Sequence, residues 1–496
     1  MKQATGFFSK IRNARWVRAV LPPFSVLLVG IYPALYYYAQ NSKLVRFSSL
    51  SRLLPLLALM IALIYLIALA FNRRSPVRAA NAAIIFLVFF HTYGIVFERL
   101  LETDFVLIKN YLFLPLYLFI AVYAAWLITR LNKNTSLSLW RIITLVFAVL
   151  TVFSIARIIP HEVKKARTAR NQPPPVSINV QPGTGGPDIY YLVFDEFSGL
   201  EAMRQYWKNP QVEPFKNFLE ESGFYVIEGS QSSNLWTLHQ VATRLNYFDY
   251  EYVRKNEDEW LYSIANNKAM SFLKSRGYTT VMLEEFSWFY ATMPEIRADY
   301  WYNTDMFETL ATRILYDEFG IMVVDATMLY PVTHQERYLE MKYNSVGELI
   351  EYARARVPDL ADIPSPKFLY MHLNIPHWPF LYHEDGSPIN PQDYKNWAYY
   401  EEYYNYTIKV IEQLVTAILA NADPQNPPVI ILQSDHGARA KLRSKLPGFP
   451  AELETDILFA VFLPGFDTST LPQNLDPINT LPIIFNHYFG ANIQLQ

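Results

Sequence analysis

The chain has no cysteine. That absence excludes disulfides, thiolate metal sites and a cysteine nucleophile, so any metal site here must be built from oxygen and nitrogen donors; it is compatible with any redox compartment. An excess of one charge sign is also missing. Against 43 Lys and Arg stand 45 Asp and Glu, and no long acidic or basic tail is present, which disfavours a nucleic-acid partner. There is no internal repeat. What the sequence does contain is apolar residues, 51% of the total, concentrated before residue 160 of 496. The length allows two to four domains at roughly 150 residues each.

Apolar runs of about 20 residues, enough to cross a hydrocarbon layer of about 30 Å, fall at 19–38, 53–72, 80–97, 111–129 and 140–159. The stretch from Leu53 to Phe71 has no charge at all, whereas the third run carries His91 and the first contains Pro22 and Pro23. Residues 1–160 are therefore predicted to form a bundle of five transmembrane helices. A cleaved signal peptide fits poorly, because the first run is long and four more come after it. Lys10, Arg12, Arg15 and Arg18 before the first span, with Arg73, Arg74 and Arg78 after the second, favour a cytoplasmic N-terminus and an extracytoplasmic C-terminal domain. Lys164, Lys165, Arg167 and Arg170 after the last span oppose that orientation. A linker is expected over 161–187, because Asn171 to Pro187 is rich in proline and glycine; a protease cut there is expected to release the C-terminal domain.

Residues 188–496 read as an α/β domain. The runs IYYLVF, FYVI, YTTVML, FLYMHL, VIILQ and LFAVFL have strand length and alternate with helical stretches, which predicts a largely parallel sheet with helices on both faces. In such sheets, ligands gather beyond the carboxyl ends of the strands. There the sequence places Asp195 after IYYLVF, His372 within FLYMHL followed by Asn374, Pro376 and His377, and Ser434, Asp435, His436 and Gly437 after VIILQ. Between the first two lies Thr237, ahead of the helical pattern Leu238, Val241, Ala242 and Leu245, where amide dipoles favour an anion. Each piece alone also has a structural reading. Asp-His-Gly is a common turn with Gly437 at positive φ, Thr237 and Asp195 are eligible helix caps, and His377 is eligible as a packed loop residue.

Taken together, the segments PDIYYLVFDEF, SSNLWTLHQVATRLNY, NNKAMSFLKSRGY, HLNIPHWPFLYHEDG, PPVIILQSDHG and INTLPIIFNHYFG resemble the alkaline phosphatase superfamily. The likeness is to its membrane-anchored, sulfatase-like branch, which includes lipoteichoic acid synthases and lipid A phosphoethanolamine transferases, and it covers about residues 187–492. It implies an αβα sandwich in which Asp195, Thr237, Asp435 and His436 bind one divalent cation. It also implies that His377, with His372 less firmly, stands on the substrate side. Sulfatases of the superfamily carry Cys or Ser in a Cys/Ser-x-Pro-x-Arg segment that matures to formylglycine. The matching stretch here runs Thr237-Leu238-His239-Gln240-Val241, and threonine cannot yield that aldehyde.

The chemistry of these residues agrees. A divalent ion lowers the pKa of a hydroxyl that it binds, which would make Thr237 a nucleophile toward phosphorus or sulfur, and a neutral imidazole at His377 suits proton transfer to a leaving oxygen. Oxygen donors with one nitrogen admit Mn²⁺, Mg²⁺ or Zn²⁺. The expected protein is a multi-pass membrane phosphotransferase or phosphodiesterase acting on a lipid or glycan headgroup outside the cytoplasm. The alternatives are a hydrolase of soluble phosphate or sulfate esters and an inactive binding module. No convincing second metal set is visible, although Glu284, Glu285 and His383 lie near strand ends.

Overall fold

Among the described residues of the computed structural model, the first 170 positions hold five helices: α1 (Arg15–Asn41), α2 (Phe47–Phe71), α3 (Pro76–Leu101), α4 (Asn110–Thr129) and α5 (Lys133–Arg170). The structure describes residues 15–42, 45–101, 110–170, 186–255, 263–284, 298–302, 314–315, 317–333, 336–357, 360, 363–439 and 446–496. All five helices are long and apolar enough to cross a membrane. Large side chains such as Leu59, Leu145, Val152 and Phe153, 65–71% exposed, form an outer surface suited to lipid and not to water. Beside the prolines of α1, the buried Ser25 hydroxyl donates to the Pro22 carbonyl at 2.6 Å and accepts the Trp140 indole N–H at 2.7 Å, which ties α1 to α5.

α5 corrects one expectation. Residues 161–170, read as the start of the linker, continue the helix past Pro160. Their basic and acidic side chains bind other parts of the bundle. Tyr38 donates to Glu162 at 2.7 Å, and Lys165 donates to the Val45 carbonyl at 3.0 Å and to Glu162 at 3.1 Å.

The chain divides into two compact units, one of Met1–Arg167 with Phe307–Tyr338 and the other of Thr168–Met306 with Leu339–Gln496. The range 188–496, expected to be a single domain, therefore gives up an internal stretch to the helical unit. Ile314, Phe319 and Val323 pack among α1, α2 and α3, while Met328 and Tyr330 pack against Phe90, Tyr93 and Phe97 of α3.

The second unit is built on a seven-stranded sheet in the order β2 (Tyr225–Val226), β7 (Phe459–Phe462), β6 (Val429–Ser434), β1 (Ile189–Phe194), β5 (Lys367–Leu373), β3 (Thr279–Glu284), β4 (Tyr300–Tyr302). β7 alone breaks the parallel direction. β1, β5 and β6 are buried along their whole length, which is why β1 reads as an unbroken apolar run and β5 and β6 are apolar but for residues at their ends. Ile189, Tyr191 and Val193 face Val241, Leu245, Leu273 and Phe485 of three helices on one side. The opposite side carries Phe194, whose neighbour Phe197 stacks on Tyr404 at 4.0 Å. The result is an α/β sandwich of helix, sheet and helix.

Asp456 gives a stability test at a carboxyl outside the group formed by Asp195, His372 and Asp435. Its Oδ2 accepts the Ala202 amide at 2.7 Å. Burial, with Glu201 and Glu228 adding to it and the Ala202 bond opposing, pushes the Asp456 carboxyl up to about 7. Between the ordinary value of 3.8 and about 7 the folded chain keeps a proton that the unfolded chain has lost, so stability falls as pH rises through that window. Asp456→Asn keeps an acceptor and never ionises. It is expected to gain on the order of 1–3 kcal/mol, or several degrees of melting temperature, at about pH 8 and nothing near pH 4. Thermal unfolding of both proteins across that range checks this, and an equal shift at both ends would contradict it.

Candidate metal centre

The parallel register brings the strand ends level. Phe194 of β1 pairs with Leu373 of β5 and Ser434 of β6, and Glu284 of β3 pairs with His372. The next residues along, Asp195, Asn374 and Asp435, therefore emerge side by side. Asp195, His372 and Asp435 are all buried, and one donor atom of each lies within 4.8 Å of the others.

Each donor is fixed from behind. Asp435 Oδ1 accepts the Glu196 amide at 3.0 Å and the His436 amide at 2.8 Å, while Oδ2 has no hydrogen bond. His436 Nδ1 lies 2.8 Å from the Gly437 carbonyl, so Nδ1 carries the proton and the lone pair sits on Nε2. That Nε2 is 3.4 Å from Asp435 Oδ2 and 3.6 Å from Asp195 Oδ1, and neither it nor Asp195 Oδ1 makes a hydrogen bond. The Asn374 amide, oriented to satisfy both of its ends, donates to Asp195 Oδ2 at 2.7 Å and accepts from Lys342 Nζ at 2.9 Å. Two carboxylate oxygens and an imidazole lone pair, buried and converging, repel one another unless a cation lies among them. The residues present fit a divalent ion.

The titration behaviour agrees. Burial and then the Asp435 charge push Asp195 well above the ordinary carboxylate range, with Arg439 opposing. Burial acts the same way on Asp435, but His436, His372 and Thr237 outweigh it and hold that carboxyl down. Burial pushes His372 down to about 4 and lowers His436 as well, so both imidazoles are neutral near pH 7, which is the ligating form.

Thr237 is the first residue of the helix Thr237–Asn246; Trp236 occupies the cap position and makes no side-chain cap bond. The helix-cap reading of Thr237 therefore does not hold. Its side chain lies near enough to Asp435 to help hold that carboxyl down. Two turns further on, on the same helix face, buried Arg244 donates to the carbonyls of Ser434 at 2.8 Å and Asp435 at 2.9 Å, tying this helix to the end of β6. Gly437 does not have the positive φ expected of it. A side chain there would meet the carbonyls of Asp456 and Glu454 at 2.6 and 2.9 Å, so close backbone approach is what requires glycine.

The two histidines of the FLYMHL segment and its sequel separate. His372, expected on the substrate side, stands in the metal-capable group. His377 instead turns Nε2 to Glu196 Oε2 at 3.6 Å and contacts Arg439. Glu196 and Arg439 were missed by sequence reasoning. Glu196 sits at φ 61, fully buried, and its Oε1 accepts the Arg439 amide at 3.0 Å. Their only signal is adjacency, Glu196 next to Asp195 and Arg439 just beyond Asp-His-Gly. Glu284 Oε1 accepts the Trp301 indole at 2.8 Å and His383 pairs with Glu402 at 2.5 Å, while the metal-capable group among the described residues consists of Asp195, His372 and Asp435; Glu285 lies outside the described residues.

No protein-family model matches the sequence, and no curated protein matches it. Solved structures do. The C-terminal periplasmic domain of EptC from Escherichia coli, in complex with Zn, is 15% identical at a TM-score of 0.38, over 64% of this chain and 86% of that one. The integral membrane lipooligosaccharide phosphoethanolamine transferase EptA from Neisseria meningitidis is 14% identical at a TM-score of 0.37, over 88% of each chain. A 2-O GAG sulfatase is 11% identical at a TM-score of 0.38, over 63% of this chain and 72% of its own. The chain is thus similar to phosphoethanolamine transferases and sulfatases.

Proposed function

We propose that this chain is a multi-pass membrane enzyme, a metal-dependent phosphotransferase or phosphodiesterase that moves a phosphoryl-linked group from a lipid or glycan headgroup through Thr237. The observation that carries this reading is the convergence of Asp195, His372, Asp435 and the His436 lone pair, with Thr237 opening the helix next to Asp435. The sequence segments shared with the sulfatase-like branch support it independently, and Thr237 argues against formylglycine sulfate hydrolysis.

Asp195, Asp435, His436 and His372 would hold the ion, with Thr237 beside it. When bound, the ion supplies the positive charge against which a threonine hydroxyl loses its proton near neutral pH. A donor set with two imidazoles fits Zn²⁺ or Mn²⁺ better than Mg²⁺. Thr237 would give up its hydroxyl proton to solvent and bond to phosphorus through that oxygen while the bond from phosphorus to the oxygen of the donor's remaining portion breaks; that oxygen leaves with a proton, and an acceptor hydroxyl or water then attacks the same phosphorus and releases the threonine oxygen. Arg439 brings positive charge for an anionic group, and His377 Nε2 next to it is a nitrogen that can carry the proton to the leaving oxygen. Five candidate spans and a basic N-terminus favour a site outside the cytoplasm. Membrane attachment raises the effective concentration of lipid headgroups.

Turnover of radiolabelled phospholipid by the purified protein tests the proposal. It is expected to stop on chelation, return with Zn²⁺ or Mn²⁺, and exceed turnover of nitrophenyl phosphate. Chelator-resistant turnover would overturn the metal assignment, and preference for the soluble ester would favour the hydrolase alternative.

A further inference from the structure

The stretch that leaves the sheet-bearing unit is built into the helical bundle by backbone as well as side chains. Gly94 N of α3 donates to the Ala326 carbonyl at 3.1 Å, and Met328 N donates to the Phe90 carbonyl at 2.9 Å, so the two groups of one helical rung both bond this segment. A side chain at Gly94 would lie 1.7 Å from the Asp325 carbonyl oxygen, which no rearrangement of a rotamer relieves. The short helix Glu318–Asp325 is capped by Asp317, whose side chain accepts the Gly320 amide at 2.6 Å. Phe319, 1% exposed, meets Tyr38 of α1 edge to face at 5.8 Å, and Tyr330 meets Phe97 of α3 at 5.5 Å.

These contacts lie at one end of the bundle. Tyr38 is near the C-terminal end of α1 and contacts Phe47, the first residue of α2, while Phe97 is near the C-terminal end of α3 and contacts Phe113 at the start of α4. Tyr38 also binds Glu162 at 2.7 Å, on the stretch of α5 that leads out toward the second unit. The segment therefore enters from the end at which the chain exits. Irregular backbone beside membrane helices is tolerated where its polar groups are satisfied by protein, and the two α3 bonds do this.

We infer that Asp317–Tyr330 is a second, non-covalent anchor that holds the sheet-bearing unit to the membrane helices independently of the 171–187 linker. The chain leaves that unit after Met306 and rejoins it at Leu339, so a cut in the linker leaves a fragment that still owns the anchor. The release by such a cut that the sequence leads one to expect is therefore not the outcome this anchor allows.

The test uses the full chain with a specific protease site placed between Asn171 and Pro187 and an affinity tag at the N-terminus. After cleavage in detergent and a high-salt wash, the C-terminal fragment is expected to co-purify with the tagged bundle. Gly94→Leu closes the space for the segment from the bundle side, and Phe319→Asp makes the segment too polar to stay without altering any membrane helix. Each is expected to cut retention by roughly tenfold or more. Release of the wild-type fragment would overturn the inference, and so would undiminished retention of the Phe319→Asp fragment, whatever Gly94→Leu does to folding.

Discussion

Thr237→Ala is expected to lose transfer activity by on the order of a thousandfold or more while keeping its metal and its melting temperature, because it removes the attacking oxygen and nothing that supports the helix. Trp236, not Thr237, stands at the cap, so no loss of about 1 kcal/mol from a missing cap is expected. Arg244 still ties the helix to the carbonyls of Ser434 and Asp435 in that variant. Thr237→Ser keeps the oxygen but loses the methyl group that restricts its rotamer, and is expected to be slower without being dead. Turnover, metal content and thermal unfolding measured on the same preparations separate these effects. A folded, metal-loaded Thr237→Ala protein that remains active would remove Thr237 from the chemistry.

The second large effect is on metal binding. Asp435→Asn retains an oxygen for the Glu196 and His436 amides but gives up one of the two buried negative charges, and His436→Ala removes the lone pair aimed at both carboxylates. Each is expected to weaken metal binding by roughly a hundredfold or more, since a single-ion site of few ligands tolerates no such loss. His372→Ala is the informative third variant, because the geometry groups His372 with the aspartates and the sequence placed it with the substrate. Elemental analysis of the purified proteins reads the result. A full equivalent of metal in both Asp435→Asn and His436→Ala would contradict this metal centre.

The contrast between what the sequence disclosed and what it hid reflects the range of the forces involved. Membrane helices announce themselves because apolar length is demanded by the solvent and not by a partner, and central strands such as Ile189–Phe194 do so because burial on both faces leaves no polar position. That Asp195 and Asp435 would meet was legible because topology puts the ends of parallel strands together. The three-residue edge strand Tyr300–Tyr302 was not, being too short and too exposed to carry a pattern. Phe319 and Val323 look like any amphipathic turn, and only their contacts with helices more than 200 residues earlier reveal where they belong. Glu196 was hidden for a different reason: its left-handed backbone and its bonds to Arg439 are set by the fold around it. His372 and His377 are five residues apart in one loop-bearing segment, and only the folded strand and its sequel set one beside Asp195 and Asp435 and the other against Arg439.

The most direct measurement of the central claim is intact-protein mass spectrometry after incubation with a membrane lipid extract and metal, with fragmentation to locate any added mass. The expected spectrum shows a phosphoryl-linked group on the wild-type chain, carried by Thr237 and absent from Thr237→Ala. A group carried by another residue, or lipid turnover with no adduct on Thr237 even when the reaction is quenched early, would contradict it.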